Sequence, residues 1–126
     1  MLGHTLIVGV GGFLGAAARY LVGGLVHRHL PATFPWGTLV INVVGCFGIG
    51  LLAVLASERQ ALGPSARLFW MVGVLGGFTT FSTFGYETVS LIQERTYLLA
   101  AANALGQLGL GLCGVFAGSA VARALP

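Results

Sequence analysis

The chain has 126 residues, 56% hydrophobic and only 7% charged, and its six arginines and three glutamates give a formal net charge of +3. Ordinary globular domains carry about 25% charged residues, so this composition excludes a water-exposed surface, a basic nucleic-acid face, a disordered acidic tail and most soluble enzymes. Its 21 glycines lie inside apolar runs with no collagen period, at more than twice the usual share of about 7%, which reads as an integral membrane protein of closely packed helices.

Four apolar segments follow one another, at about residues 5–26, 37–56, 68–92 and 98–122. Each approaches the ~20 residues that cross ~30 Å of hydrocarbon at ~1.5 Å per residue. Met1 to Gly3 bring no charge beyond the amino terminus, and the first segment is too long for the core of a secretory signal, so no cleavable leader is expected. Pro35-Trp36 opens the second segment, an interfacial aromatic beside a helix-start proline. Connections are short, so residues 1–126 read as one all-α domain of four transmembrane helices, with any function inside the membrane. Cys46 and Cys113 stand among apolar neighbours with no Cys or His at ligand spacing, and read as small packing residues.

Arg59, Arg67 and Arg123 fall on the side that holds both termini; Arg28 and Arg95, with Arg19 about two turns deeper, fall on the other. Three against two or three is almost no bias under the positive-inside rule. A chain without a preferred orientation inserts both ways, which admits an antiparallel homodimer. A single topology with weak bias stays open.

The third segment departs from a plain span. It reads Gly73-Val74-Leu75-Gly76-Gly77-Phe78-Thr79-Thr80-Phe81-Ser82-Thr83-Phe84-Gly85, which puts adjacent glycines and then four hydroxyl residues at the bilayer midplane. Gly and β-branched Thr are poor helix formers. Unwound backbone at that depth must be buried in protein or line a wet cavity, where a discontinuous helix presents carbonyls and helix ends to ions. The alternative is a continuous helix whose hydroxyls bond back to their own carbonyls while the glycines pack on a neighbour.

Polar side chains within spans are costly and mark function. Thr38 and Asn42 share one helical face, as do Asn103 and Gln107, and Ser82 and Thr83 add hydroxyls. No Asp or Glu lies at the centre of a span, so this ladder of donors suits an anion better than a cation or a proton relay. Interhelical hydrogen bonding for assembly is the competing use. Phe78, Phe81 and Phe84 are spaced for core packing, yet an edge-on ring is a weak partner for a desolvated anion. Arg19 either snorkels to the interface or draws anions into a vestibule, and Glu87, one turn beyond Thr83, either pairs or lines a path. His4, His27 and His29 stand at membrane edges as solvated residues. Gly11/Gly15, Gly73/Gly77 and Gly114/Gly118 fit the close-packing GxxxG pattern.

These residues together resemble the bacterial fluoride channel family, called Fluc or CrcB, over essentially the whole chain. The likeness rests on Gly12-Phe13-Leu14-Gly15 leading to Ala18-Arg19-Tyr20, and on Gly37-Thr38-Leu39 leading to Asn42 and Gly45. Its most specific part is Gly76-Gly77-Phe78-Thr79-Thr80-Phe81-Ser82-Thr83-Phe84. The resemblance implies a third helix broken at mid-membrane and a dual-topology antiparallel homodimer with two pores. It also implies a structural, untransported sodium ion on the twofold axis, held by the main-chain carbonyls of Gly76 and Thr79. Phe81 and Phe84 match the family's pore-facing aromatics, Asn42 its span-two amide, and Ser82 and Thr83 its hydroxyl-rich stretch. Asn103 and Gln107 stand where many members carry Tyr and Ser, which keeps the donors but changes the groups.

The expected function is therefore a passive, fluoride-selective channel of the bacterial inner membrane that exports toxic cytoplasmic fluoride. The pore would comprise Asn42, Phe81, Ser82, Thr83, Phe84, Asn103 and Gln107, with Arg19, Thr38 and Glu87 in vestibule or structural roles. The expected partners are fluoride, the bilayer and a second copy of the chain, with no nucleic acid. A small proton-coupled drug exporter, also four-helical and dual-topology, needs a titratable carboxylate deep in a span, and the first span holds no acid. A membrane-organising protein without a permeant fits the glycines and leaves the polar ladder unexplained. No nucleophile–base pair or metal cluster points to an enzyme.

Overall fold

A computed structural model describes residues 1–126 as four apolar helices long enough to cross a membrane: Leu2–His29, Trp36–Ser57, Pro64–Gln93 and Tyr97–Ala124. Their ends lie one to four residues outside the sequence-expected bounds. The first and last, at 28 residues, are about 42 Å long, so their ends stand clear of the hydrocarbon. His27, Arg28 and His29 occupy the last turn of the first helix, where positive charge complements the carbonyl end of the helix dipole. Pro35 precedes the second helix at its N-cap, and Arg95 turns the chain into the fourth with φ of 60°.

The three arginines on the side of the termini close helix ends. The Arg67 guanidinium donates to the carbonyls of Leu62 and Ala56. Arg59 donates to those of Arg123, Leu125 and Pro126. Arg123 in turn pairs with Glu58 at 2.7 Å. Carbonyls that helices leave unpaired at their C-termini are thereby satisfied from within the chain.

Two glycine-lined seams hold the bundle. In the first, Gly11 and Gly15 meet Gly73 and Gly77. A Cβ on Gly11 would lie 2.6 Å from the Phe69 carbonyl oxygen, one on Gly77 would lie 2.5 Å from that of Gly12, and one on Gly15 would overlap that of Val74. In the second, Gly114 and Gly118 press on the backbone of Val43 and Phe47, and Gly50 on that of Val115. All three GxxxG pairs therefore bring backbone against backbone. In lipid, where burying apolar area drives little association, such contact is what packs helices.

The third span is in two helical pieces. Residues 64–78 include a wide, π-helical stretch from Leu68 to Leu75, and Phe81–Gln93 forms the second piece. Between them Thr79 (φ −81°, ψ 158°) and Thr80 (φ −151°, ψ 114°) are extended. The interruption is narrower than the sequence pattern implied: Gly76 and Gly77 remain helical. Gly77 is used for close packing on Gly12, and the threonines carry the break because polar partners exist for them alone.

Candidate functional site

A continuous helix would give the Thr80 N–H to the Gly76 carbonyl, four residues back. That N–H instead reaches Asn42 Oδ1 at 2.9 Å, while Asn42 Nδ2 donates to the Thr80 carbonyl at 3.0 Å. The carboxamide thus pairs with the peptide group of Thr80 as a neighbouring strand would. One turn on, the Thr83 N–H, due to the Thr79 carbonyl, goes to Thr80 Oγ1 at 3.2 Å, an N-cap for the second piece. The carbonyls of Gly76 and Thr79 have both lost their ordinary helical donors. Arg19 Nη1 donates to the Thr79 oxygen at 3.3 Å.

From Asn42 a chain of amides and hydroxyls leads away from the break. Its second Nδ2 hydrogen goes to Gln107 Oε1 at 3.0 Å, and Gln107 Nε2 faces Asn103 Oδ1 at 3.5 Å. Asn103 Nδ2 donates to Thr88 Oγ1 at 2.9 Å, which donates to the Phe84 carbonyl at 2.8 Å. Thr38 Oγ1 donates to Glu87 Oε1 at 2.7 Å, and Glu87 Oε2 is buried without a partner. The two same-face pairs read from the sequence do meet across the second and fourth helices. Thr38 and Glu87 are partners in one hydrogen bond.

Not every candidate faces the same space. A groove of about 470 Å³ opens beside the break, lined among others by Asn42, Gly76, Thr79, Phe81, Phe84 and Gln107. Phe81 is 82% exposed, and its ring centroid lies 5.5 Å from that of Phe84 with a 58° tilt. Ser82 and Thr83 lie on the outer side of the second piece, off the groove but joined to Thr80 Oγ1 at 3.4 and 2.9 Å. Asn103 is wholly buried inside the protomer, at 0% exposure. Two residues were missed in the sequence. Thr80, as N-cap, had a signal, a hydroxyl just ahead of an apolar-periodic run. Thr88, which holds Asn103, had none, because its partner comes from another helix.

Asn42 has no spare N–H, since both Nδ2 hydrogens and its Oδ1 are engaged; Asn103 spends one Nδ2 hydrogen on Thr88, and its second is enclosed with the wholly buried side chain. Gln107 keeps one N–H and the Thr83 hydroxyl, which accepts from Thr80, keeps its proton to donate, while the Ser82 proton is directed at Thr80 Oγ1 over a long 3.4 Å. The arrangement can offer neutral hydrogen-bond donors to a small anion, and released carbonyls to a hard cation.

Four membrane-length helices, one of them interrupted beside a chain of hydrogen-bonded amides, define a multi-pass membrane protein. Residues 6–119 match the model for the CrcB-like protein, camphor resistance (CrcB), and the chain belongs to this family. It is 43% identical to the fluoride-specific ion channel FluC of Roseiflexus sp. (strain RS-1), over 98% of this chain and 99% of that one. It is 45% identical to the protein of the same name from Opitutus terrae (strain DSM 11246 / JCM 15787 / PB90-1), over 95% and 92%. With that of Geobacter sulfurreducens (strain ATCC 51573 / DSM 12127 / PCA) it shares 43% identity over 95% and 97%.

Proposed function

We propose that this chain is a passive, fluoride-selective channel of the bacterial cell membrane, acting as an antiparallel homodimer with a structural sodium ion at its centre. The observation that carries the fluoride assignment is its nearly full-length likeness to proteins named fluoride-specific ion channel FluC. Fluoride enters cells as its neutral acid, ionises and is trapped, so a conduit down the electrochemical gradient suffices. The physical task is to replace water around a strongly hydrated ion without holding it.

The residues divide that task. Asn42 holds the break and, with Asn103, orients Gln107, which supplies a neutral donor to the groove, while Ser82 and Thr83 offer hydroxyls on the outer side of the second piece. Phe81 and Phe84 offer ring edges, weak enough to let the ion leave. The amide chain runs from the break toward one membrane face only. Toward the other, the groove wall is Cys46, Ile49, Met71, Leu75 and Leu108. An upside-down copy set against this groove supplies the missing half of the ladder, which is the structural support for the antiparallel dimer.

The donor set also fits a central cation. Gly76 and Thr79 present oxygens whose helical donors are diverted to Asn42 and Thr80, and hard cations take oxygen ligands. A sodium ion bound there would neutralise four such dipoles, two from each copy. Asn42, the Thr80 cap and Arg19 hold the extended backbone from which these oxygens would reach it.

The test is ion efflux from reconstituted liposomes, with chloride as control and sodium replaced by N-methylglucamine. Fluoride efflux with chloride retained, and slower without sodium, is expected. Fluoride flux at background overturns the channel; proton-coupled fluoride flux replaces it with an exporter.

A further inference from the structure

Arg19 is the only arginine held against the centre of the bundle, and no carboxylate pairs with it: the sole ion pair in the chain is Arg123–Glu58. Its place is fixed by the first glycine seam. Gly15, one turn earlier, lies so close to the third span that a Cβ there would stand 2.9 Å from the Phe78 nitrogen. The next inward-facing side chain on that helix, Arg19, therefore reaches the first extended residue and donates to the Thr79 carbonyl at 3.3 Å.

We propose that Arg19 is a positioning and specificity-determining residue for the central cation: it shares the Thr79 carbonyl with that ion and, by its fixed positive charge, restricts the site to monovalent cations. The inference rests on the cation reading given above. A carbonyl oxygen has two lone pairs, so one guanidinium N–H leaves room for a second partner. The oxygens alone do not exclude calcium, which also takes carbonyl ligands. A neighbouring guanidinium does. Coulomb repulsion scales with the charge of the incoming ion, so a divalent cation meets twice the penalty of sodium, and in a twofold dimer it meets it from two arginines. The same repulsion keeps sodium affinity lower than the oxygens would give by themselves.

The experiment is the thermal midpoint of the purified dimer, titrated with sodium or calcium against an N-methylglucamine baseline, for wild type, Arg19→Gln and Arg19→Lys. Wild type and Arg19→Lys are expected to respond to sodium and not to calcium. Arg19→Gln should need at least tenfold less sodium for half its shift, and should gain a calcium response. If Arg19→Gln keeps the wild-type sodium midpoint and stays blind to calcium, the role of Arg19 is wrong while the cation site stands. If wild type itself is indifferent to sodium, the cation site falls and this inference with it. Should Arg19→Gln fail to fold, Arg19→His reports the same property: its sodium requirement should rise on going from pH 8 to pH 5.5, and a flat requirement overturns the proposal.

Discussion

The Asn42 carboxamide and the Thr80 peptide group hold one another by two hydrogen bonds, 2.9 and 3.0 Å long, across the interruption of the third span. Truncation to alanine takes the side-chain partner from both backbone groups of Thr80, which is half-buried at mid-span. A buried polar group left unpaired costs about 1–3 kcal/mol, so Asn42→Ala should destabilise by roughly 2 kcal/mol or more. Asn42→Asp keeps the acceptor for the Thr80 N–H and loses both donors, and should fall between. Unfolding in detergent, followed by loss of the folded species on gel filtration after heating, measures the order. Equal stability of Asn42→Ala and wild type would show that the break holds without the carboxamide.

The glycine seams divide the 21 glycines into two groups. Gly15→Ala and Gly118→Ala place a methyl group onto the carbonyls of Val74 and Phe47, backbone atoms that cannot step aside without parting the helices. Overpacking of this kind costs about 1–3 kcal/mol or more. Gly109→Ala meets nothing within 4 Å and should gain up to about 1 kcal/mol from helix propensity. Thermal midpoints of the three variants should therefore fall, fall and hold or rise.

Glu58 lies beyond the second helix, where its hydrogen bonds from Arg123 hold its carboxyl below the ordinary 4.5. A carboxyl depressed in the folded state stabilises above its unfolded pKa, and that contribution is lost as pH falls through the folded value. Both partners are exposed, so the effect is small and weakened by salt. Glu58→Gln should lie slightly below wild type in thermal midpoint at pH 7, and the two should converge as pH drops below 4.5. A gap that persists in acid would assign the effect to packing.

Much of this architecture was legible because membrane solvation is strict. Apolar runs of spanning length, the spacing of Thr38 with Asn42 and of Asn103 with Gln107, and the GxxxG pairs each encode a local period, and each recurs in the folded chain. What the sequence left open was which polar group meets which across helices. Nothing near Asn42 says that its partner is the Thr80 backbone, nor does anything near Arg19 point to Thr79, because both contacts depend on how closely glycines let helices approach. The extent of the break was likewise hidden. Gly76-Gly77 looks like the weak point by propensity, yet the helix gives way where a carboxamide and a hydroxyl stand ready to receive the freed N–H groups.

Phe81 projects from the first turn after the break, 82% exposed beside the groove. A large aromatic so placed has two uses, filling space against a second copy or presenting its ring edge to a passing anion. Isoleucine separates them, since it keeps most of the apolar volume and abolishes the quadrupole. If the ring edge works on the ion, Phe81→Ile should slow fluoride efflux from liposomes by at least tenfold, or about 1.4 kcal/mol in the barrier, while the protein still elutes as the wild-type assembly. If Phe81 only packs, efflux should stay near wild type whenever assembly does. Phe84→Ile, whose ring leans on that of Phe81 at 5.5 Å, should show the same split, and undiminished flux in both variants would remove the rings from the path.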